Sequence, residues 1–155
     1  FAKKMAELCG CADMILPNIT EASFMTGIEY KENYDEAYVK EMLLALAKLG
    51  AKTAILTGVS FKEGTTGVMG YDSATGEFHY YCHAKHAQSY HGTGDVFSST
   101  FVGAMMNGLS WQEAIKVAAD YTAECIRITM EDKDGCWYGV NFELAIPGLL
   151  KALGK

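Results

Sequence analysis

The fold is decided by residues 35–57, which read DEAYVKEMLLALAKLGAKTAILT. The first part of this stretch carries apolar residues at a spacing that places them on one face of a helix: Val39, Met42, Leu43, Leu46 and Leu49. Gly50 stands where a helix commonly ends. Residues 53–57 then form a short apolar run that is typical of a buried strand. The stretch therefore predicts a helix that leads into a strand.

A second apolar run precedes this helix. Residues 12–16 read ADMIL and are followed by Pro17-Asn18, as expected of a buried strand, and a short helix is predicted over residues 20–26. A strand, helices and a second strand in this order predict a parallel βαβ unit and an α/β fold.

The later sequence adds a hairpin and two longer helices. Runs rich in β-forming residues at 68–71 and 78–82 flank the turn-like residues 72–76. Helices are predicted over residues 95–107 and from Ser110, whose S-x-x-E pattern is a capping box, to about Met130. The predicted fold is thus a mostly parallel sheet flanked by helices, with a β-hairpin.

Composition narrows the class of protein. The chain has 155 residues, half of them apolar, and a net charge of -6, which argues against nucleic acid as the main partner. Its apolar stretches fall short of the roughly 20 residues needed to span a bilayer, so we expect no membrane partner and a cytoplasmic location. The five cysteines have no C-x-x-C spacing, which favours reduced thiols.

The beginning of the chain suggests a fragment. Residues 1–8 already resemble the later turns of a helix, and no initiator Met precedes them. We therefore expect residues 1–155 to be a single domain that forms the C-terminal part of a larger one, whose N-terminal half is absent.

The strongest chemical signal is the sequence HGTGD at residues 91–95, next to a predicted helix. A helix N-terminus presents unpaired N–H groups and a partial positive charge, so it attracts anions such as phosphate. The N–H groups of Gly92, Thr93 and Gly94 would hold the charge of a transferring phosphoryl group, and Asp95 would act as general base on the attacking hydroxyl. Asp is also common in the first turn of ordinary helices.

Two further segments follow the predicted strands directly. Asn18 and Glu21 offer oxygen ligands that suit Mg²⁺, although both residue types also cap helices. Thr57-Gly58 offers a hydroxyl and a turn to a phosphate, a weak signal alone. Ligands of open α/β sheets collect at the carboxyl ends of strands, so we expect the three segments to lie at one edge of the sheet.

In combination these residues resemble the C-terminal half of the ribokinase-like superfamily, most closely its pyridoxal kinase branch, over essentially the whole chain. The family's G-x-G-D anion hole and catalytic Asp correspond to residues 92–95, its N-x-x-E metal motif to residues 18–21, and its nucleotide-phosphate Thr to Thr57. The resemblance implies that ATP and Mg²⁺ are cofactors, and it leaves room for a monovalent cation. Nucleotide-binding residues would be Thr57, Gly58, Asn18 and His91, and metal ligands would be Glu21 and Asn18.

The resemblance implies ATP-dependent phosphorylation of the hydroxymethyl group of pyridoxal, pyridoxamine or pyridoxine, by a protein that is a homodimer at full length. Hydroxymethylpyrimidine kinases of thiamine synthesis share the same motifs and are the alternative. A truncated fragment that binds nucleotide without turnover is a third interpretation. The family's ring-binding residues lie mostly in the N-terminal half, so the vitamer is left open.

Overall fold

The computed structural model describes residues 2–86, 88, 90–132 and 138–155. They form two compact units, Phe1–Cys82 and His83–Lys155, each of which is described by itself. The expectation of a single domain over residues 1–155 stays a prediction. The elements in chain order are α1 (Ala2–Cys9), β1 (Met14–Ile15), α2 (Ile19–Thr26), α3 (Glu36–Ala47), β2 (Thr53–Val59), β3 (Thr65–Asp72), β4 (Glu77–Ala84), α4 (Thr93–Met106), α5 (Trp111–Glu131), a 3-10 helix (Glu143–Ala145) and α6 (Ile146–Ala152).

The four strands form one sheet in the order β1-β2-β3-β4. β1 runs parallel to β2, with Met14 opposite Thr53, and β2 runs antiparallel to β3. The α/β fold class is confirmed, but this sheet is mixed rather than mostly parallel. The reason is the length of the connections, since only β1 and β2 are joined by a helical crossover and short turns reverse the chain after β2 and β3.

The core of the first unit lies between α3 and the sheet. The predicted helical spacing is confirmed, because the inward face of α3 is buried: Tyr38, Val39, Met42, Leu43 and Leu46. These side chains pack with Ala54, Leu56 and Val59 of β2 and with Met69 of β3. The βαβ unit therefore fixes the carboxyl ends of β1 and β2 side by side.

The second unit is built on α4 and α5, which pack along each other. Phe97, Phe101 and Ala104 are buried along one face of α4. The predicted capping box of α5 is confirmed, with Ser110 and Glu113 bonded reciprocally. Pro147 lies in the first turn of α6, where its missing N–H costs no helical hydrogen bond.

The structure also bears on membrane-spanning segments and on the state of the cysteines. No helix in the described part of the chain combines the length and the apolar character that a bilayer crossing requires. Cys9, Cys11, Cys82 and Cys125 are free thiols, and Cys136 lies outside the described residues.

Candidate functional site

The carboxyl ends of β1 and β2 bring two of the predicted segments together. Asn18 pairs with Thr57 in a parallel bridge just beyond β1. The backbone N–H of Thr57 donates to the carbonyl oxygen of Pro17 at 3.0 Å, and the Thr57 hydroxyl lies 3.5 Å from the same oxygen. Within the first unit, the structure therefore places the expected metal motif beside the expected phosphate-binding threonine.

Asn18 and Glu21 form a capping box at the start of α2. The Asn18 Oδ1 atom accepts from the Glu21 N–H at 2.9 Å, and the Glu21 Oε2 atom accepts from the Asn18 N–H at 2.9 Å. This reciprocal pair satisfies two backbone donors that the first turn of a helix leaves without partners. Capping thus accounts for both residue types without any metal.

The same two residues still have capacity for a cation. Glu21 is exposed, and its Oε1 atom accepts no hydrogen bond from any residue that the structure describes. The described ranges contain no cluster of three or more His, Cys, Asp and Glu side chains that could hold a metal ion. A Mg²⁺ ion at Glu21 would complete its shell with phosphate and water oxygens, a common arrangement for this metal. The residues present therefore fit a nucleotide-associated Mg²⁺.

The pairing of β2 with β3 is interrupted by a bulge just after Thr57. The register between β2 and β3 shifts between Thr57 and Val59, and Gly58 has a φ of 72°, which glycine adopts most easily. The hydroxyl of Tyr34 lies over this bulge, where it accepts from the N–H of Ser60 at 3.1 Å. No local sequence pattern marks Tyr34, because it precedes α3 in a polar stretch and contacts the bulge only through the fold.

The start of α4 presents unpaired donors in the second unit. Gly92 caps the helix with a φ of 81° and without any side-chain hydrogen bond, and the first helical bond runs from Val96 N–H to Gly92 O at 3.0 Å. The N–H groups of Thr93, Gly94 and Asp95 make no hydrogen bond with the described residues. Three free amides at the positive end of a 14-residue helix suit a phosphate oxygen.

Asp95 lies inside the first turn of α4, whereas the sequence predicted that the helix begins at this residue. The glycine cap explains the difference, since its backbone conformation starts the helix at Thr93. Asp95 is exposed, and it forms no hydrogen bond or ion pair with any described residue, so its carboxylate is available to a ligand. His91 is also exposed. A shared sheet edge for this segment and the residues around Asn18 stays a prediction.

The sequence profile of the phosphomethylpyrimidine kinase family matches residues 2–138. The chain belongs to this family. The matched range includes the segments around Asn18 and Thr57 and the start of α4, so all the candidate site residues lie within it.

The relatives include kinases named for a pyrimidine substrate and kinases named for pyridoxal. The hydroxymethylpyrimidine/phosphomethylpyrimidine kinase of Aquifex aeolicus is 30% identical over 123 residues, which are 79% of this chain and 46% of that protein. A Bacteroides thetaiotaomicron protein assigned as a phosphomethylpyrimidine kinase, crystallised with pyridoxal, is 28% identical with a TM-score of 0.88 over 96% of this chain and 52% of its own. The ADP complex of Bacillus subtilis pyridoxal kinase is 26% identical with a TM-score of 0.71 over 81% of this chain and 48% of its own.

This chain spans about half the length of the relatives it matches. The ribokinase-like fold is shared, as the resemblance in sequence predicted.

Proposed function

We propose that the full-length protein is an ATP-dependent kinase that phosphorylates the hydroxymethyl group of pyridoxal or a related B6 vitamer. The proposal rests on the geometry at the start of α4. Three unpaired N–H groups lie there next to the carboxylate of Asp95, which has no hydrogen-bond or ion-pair partner among the described residues. The membership in a kinase family supports this reading over that of an ordinary capped helix.

In the proposed reaction, the hydroxyl oxygen of the vitamer attacks the γ-phosphorus of ATP. The bond between that phosphorus and the bridging oxygen breaks, and ADP leaves. Asp95 would accept the hydroxyl proton, while the amides of Gly92, Thr93 and Gly94 would stabilise the negative charge on the transferring phosphoryl oxygens. General-base assistance of this kind typically contributes about 10²–10⁴-fold to the rate.

The first unit would hold the rest of the nucleotide. The Thr57 hydroxyl and the Gly58 backbone would contact its phosphates, and Glu21, with Asn18 beside it, would hold Mg²⁺ directly or through water. Mg²⁺ supplies charge neutralisation to the phosphate groups when it is bound. His91 is exposed beside the helix cap and would donate to a phosphate. The ADP complex of the Bacillus relative supports ATP as the phosphoryl donor.

The choice of acceptor rests on two relatives that point in different directions. Pyridoxal in the Bacteroides structure supports a B6 vitamer, at 28% identity. The Aquifex relative, at 30% identity, supports hydroxymethylpyrimidine as the second candidate. Both acceptors offer a primary hydroxyl on a nitrogen heterocycle, so the same catalytic residues serve either one.

The domain assignment is part of the proposal. Residues 1–155 would be the ATP-binding and catalytic C-terminal part of a larger ribokinase-like domain, which the half-length coverage of the relatives supports. The missing half would contribute most of the contacts to the ring. A cytoplasmic homodimer is the proposed state of the full-length protein.

A direct test compares acceptors with the full-length protein. Purified protein is incubated with ATP and Mg²⁺ and with either pyridoxal or hydroxymethylpyrimidine, and the product is identified by mass spectrometry as the acceptor plus one phosphoryl group. A higher kcat/KM for pyridoxal is the expected result. A higher value for hydroxymethylpyrimidine would shift the assignment to the thiamine substrate, and phosphorylation of neither would contradict the kinase proposal.

A nucleotide-binding fragment without turnover is the remaining alternative. Measuring ADP binding by calorimetry together with vitamer phosphorylation, for the isolated 155-residue chain and for the full-length protein, separates a kinase from a protein that only binds nucleotide, because the latter binds ADP and forms no product. We expect the isolated chain to be inactive. Vitamer phosphorylation by the isolated chain would contradict the assignment of ring contacts to the missing half.

A further inference from the structure

The bulge at Gly58, near the carboxyl end of β2, is held less firmly by the sheet than the part of the strand before it. Pairing between β2 and β3 is regular from Thr53 to Thr57 and then shifts before Val59. Gly58 itself is exposed and has a left-handed φ of 72°. A bulge of this kind interrupts the ladder of backbone hydrogen bonds, so its conformation depends on contacts from outside the sheet.

Two contacts fix the bulge from opposite ends. On the Thr57 end, the backbone N–H bonds to Pro17 O at 3.0 Å. On the other end, the Tyr34 hydroxyl accepts from Ser60 N–H at 3.1 Å and donates toward Gly58 O at 3.5 Å. The second distance is at the long end of the hydrogen-bonding range, so the bond with Ser60 is the stronger one.

The ring of Tyr34 is itself held in place by its neighbours. It stacks on Tyr38 with 5.8 Å between ring centroids, and Phe61 packs edge-on at 6.4 Å. Tyr38 is only 5% exposed, and its hydroxyl donates to Glu29 O at 2.8 Å. Since an aromatic side chain has few rotatable bonds, these contacts fix the position of the Tyr34 hydroxyl before any ligand binds.

We propose that Tyr34 is a positioning residue for the nucleotide phosphates. Its hydroxyl holds the Thr57-Gly58 backbone in the conformation that receives a phosphate, and it does so without touching the nucleotide itself. This role rests on the proposed function, because it requires that Thr57 and Gly58 bind ATP. The vitamer does not depend on this contact, so nucleotide binding alone responds to its loss.

The test uses the full-length protein and two matched variants. Tyr34→Phe removes the hydroxyl that contacts the bulge and keeps the stacked ring. Tyr38→Phe removes a hydroxyl from the neighbouring ring, and that hydroxyl donates to Glu29 O and not to the bulge. We expect Tyr34→Phe to raise the KM for ATP and the calorimetric Kd for ADP by about three- to tenfold, the factor given by the loss of one neutral hydrogen bond. The KM for the vitamer and kcat should stay within about twofold of wild type.

The control separates positioning from general stability. Tyr38→Phe should lower the melting temperature and leave the KM for ATP unchanged. Wild-type nucleotide affinity in Tyr34→Phe, or equal rises of both KM values in that variant, would overturn the proposal while leaving the kinase assignment intact. A wild-type protein that neither binds ADP nor phosphorylates a vitamer would overturn the proposed function and this inference with it.

Discussion

Replacing Glu21 with Gln separates the two roles that are open to this residue. The Glu21 Oε2 atom accepts from Asn18 N–H at 2.9 Å, and the amide oxygen of Gln can accept the same bond. The substitution therefore keeps the capping box and removes the negative charge. If Glu21 only caps the helix, the protein loses little stability and no activity. If Glu21 also holds Mg²⁺, the protein loses affinity for the ion.

The expected magnitudes differ enough to be measured. Removing an exposed carboxylate from a helix N-terminus costs about 0.3–1 kcal/mol of unfolding free energy, which corresponds to a fall in melting temperature of at most about 4 °C for a domain of 150–250 residues. Loss of a side chain that supports a metal costs about 10–100-fold in metal affinity. We thus expect a small thermal shift and at least a tenfold rise in the Mg²⁺ concentration for half-maximal activity.

Glu113 supplies the matched control. Its Oε2 atom accepts from Ser110 N–H at 2.9 Å in the capping box of α5, and the segment has no proposed role in catalysis. Glu113→Gln should also lower the melting temperature slightly and leave the Mg²⁺ dependence unchanged. Both variants are measured by thermal unfolding and by Mg²⁺ titration of kinase activity in the full-length protein.

Equal Mg²⁺ dependence in Glu21→Gln and Glu113→Gln would refute the metal assignment and leave Glu21 as a helix cap. A melting temperature that falls much further in Glu21→Gln than in Glu113→Gln would contradict the premise that Gln keeps the capping box, because Gln would then have failed to accept the hydrogen bond from Asn18 N–H.

Three further predictions follow from burial and hydrogen bonding. Leu43→Ala should lower the free energy of unfolding, measured by urea denaturation, by about 2–5 kcal/mol, since Leu43 is fully buried. Leu44→Ala, at a 40% exposed position, should lower it by less than about 1 kcal/mol. A larger loss in Leu44→Ala than in Leu43→Ala would contradict the packing of α3. Burial raises the pKa of the Cys125 thiol to about 11, so peptide mass spectrometry should find iodoacetamide on exposed Cys11 and not on Cys125 of the native protein. Hydrogen bonds from Ser110 hold the pKa of Glu113 below its ordinary value of 4.5, so the stabilisation they provide is complete above pH 4.5 and is lost as the pH falls through the lower pKa of the folded state. Glu113→Gln should therefore weaken the dependence of the melting temperature on acid pH. An unchanged pH profile in this variant would contradict the stabilising role of the Glu113 carboxylate.

Local sequence signals predicted most of the helices and strands. The capping box at Ser110 and the apolar face of α3 each depend on residues within a few positions of one another, and both are confirmed. The start of α4 was placed two residues late, because Gly92 caps through its backbone conformation and has no side chain to mark the position.

The candidate site was predicted less completely, for two physical reasons. The N-x-x-E pattern of Asn18 and Glu21 satisfies both a capping box and a metal motif, so sequence alone does not choose between them. The contact of Tyr34 with Ser60 joins residues 26 positions apart through the fold, and no local pattern marks it. The mixed sheet likewise depends on how β2, β3 and β4 pair, and the composition of these strands does not specify their pairing.

The most direct measurement of the central claim is the kcat of Asp95→Asn in the full-length protein with pyridoxal and saturating ATP and Mg²⁺. Glu36→Gln, which removes a first-turn carboxylate that pairs with Lys40 in α3, serves as the control. If Asp95 is the general base, its variant loses at least about 100-fold in kcat and keeps its affinity for ADP, while Glu36→Gln stays near wild type. Wild-type turnover in Asp95→Asn would contradict the account.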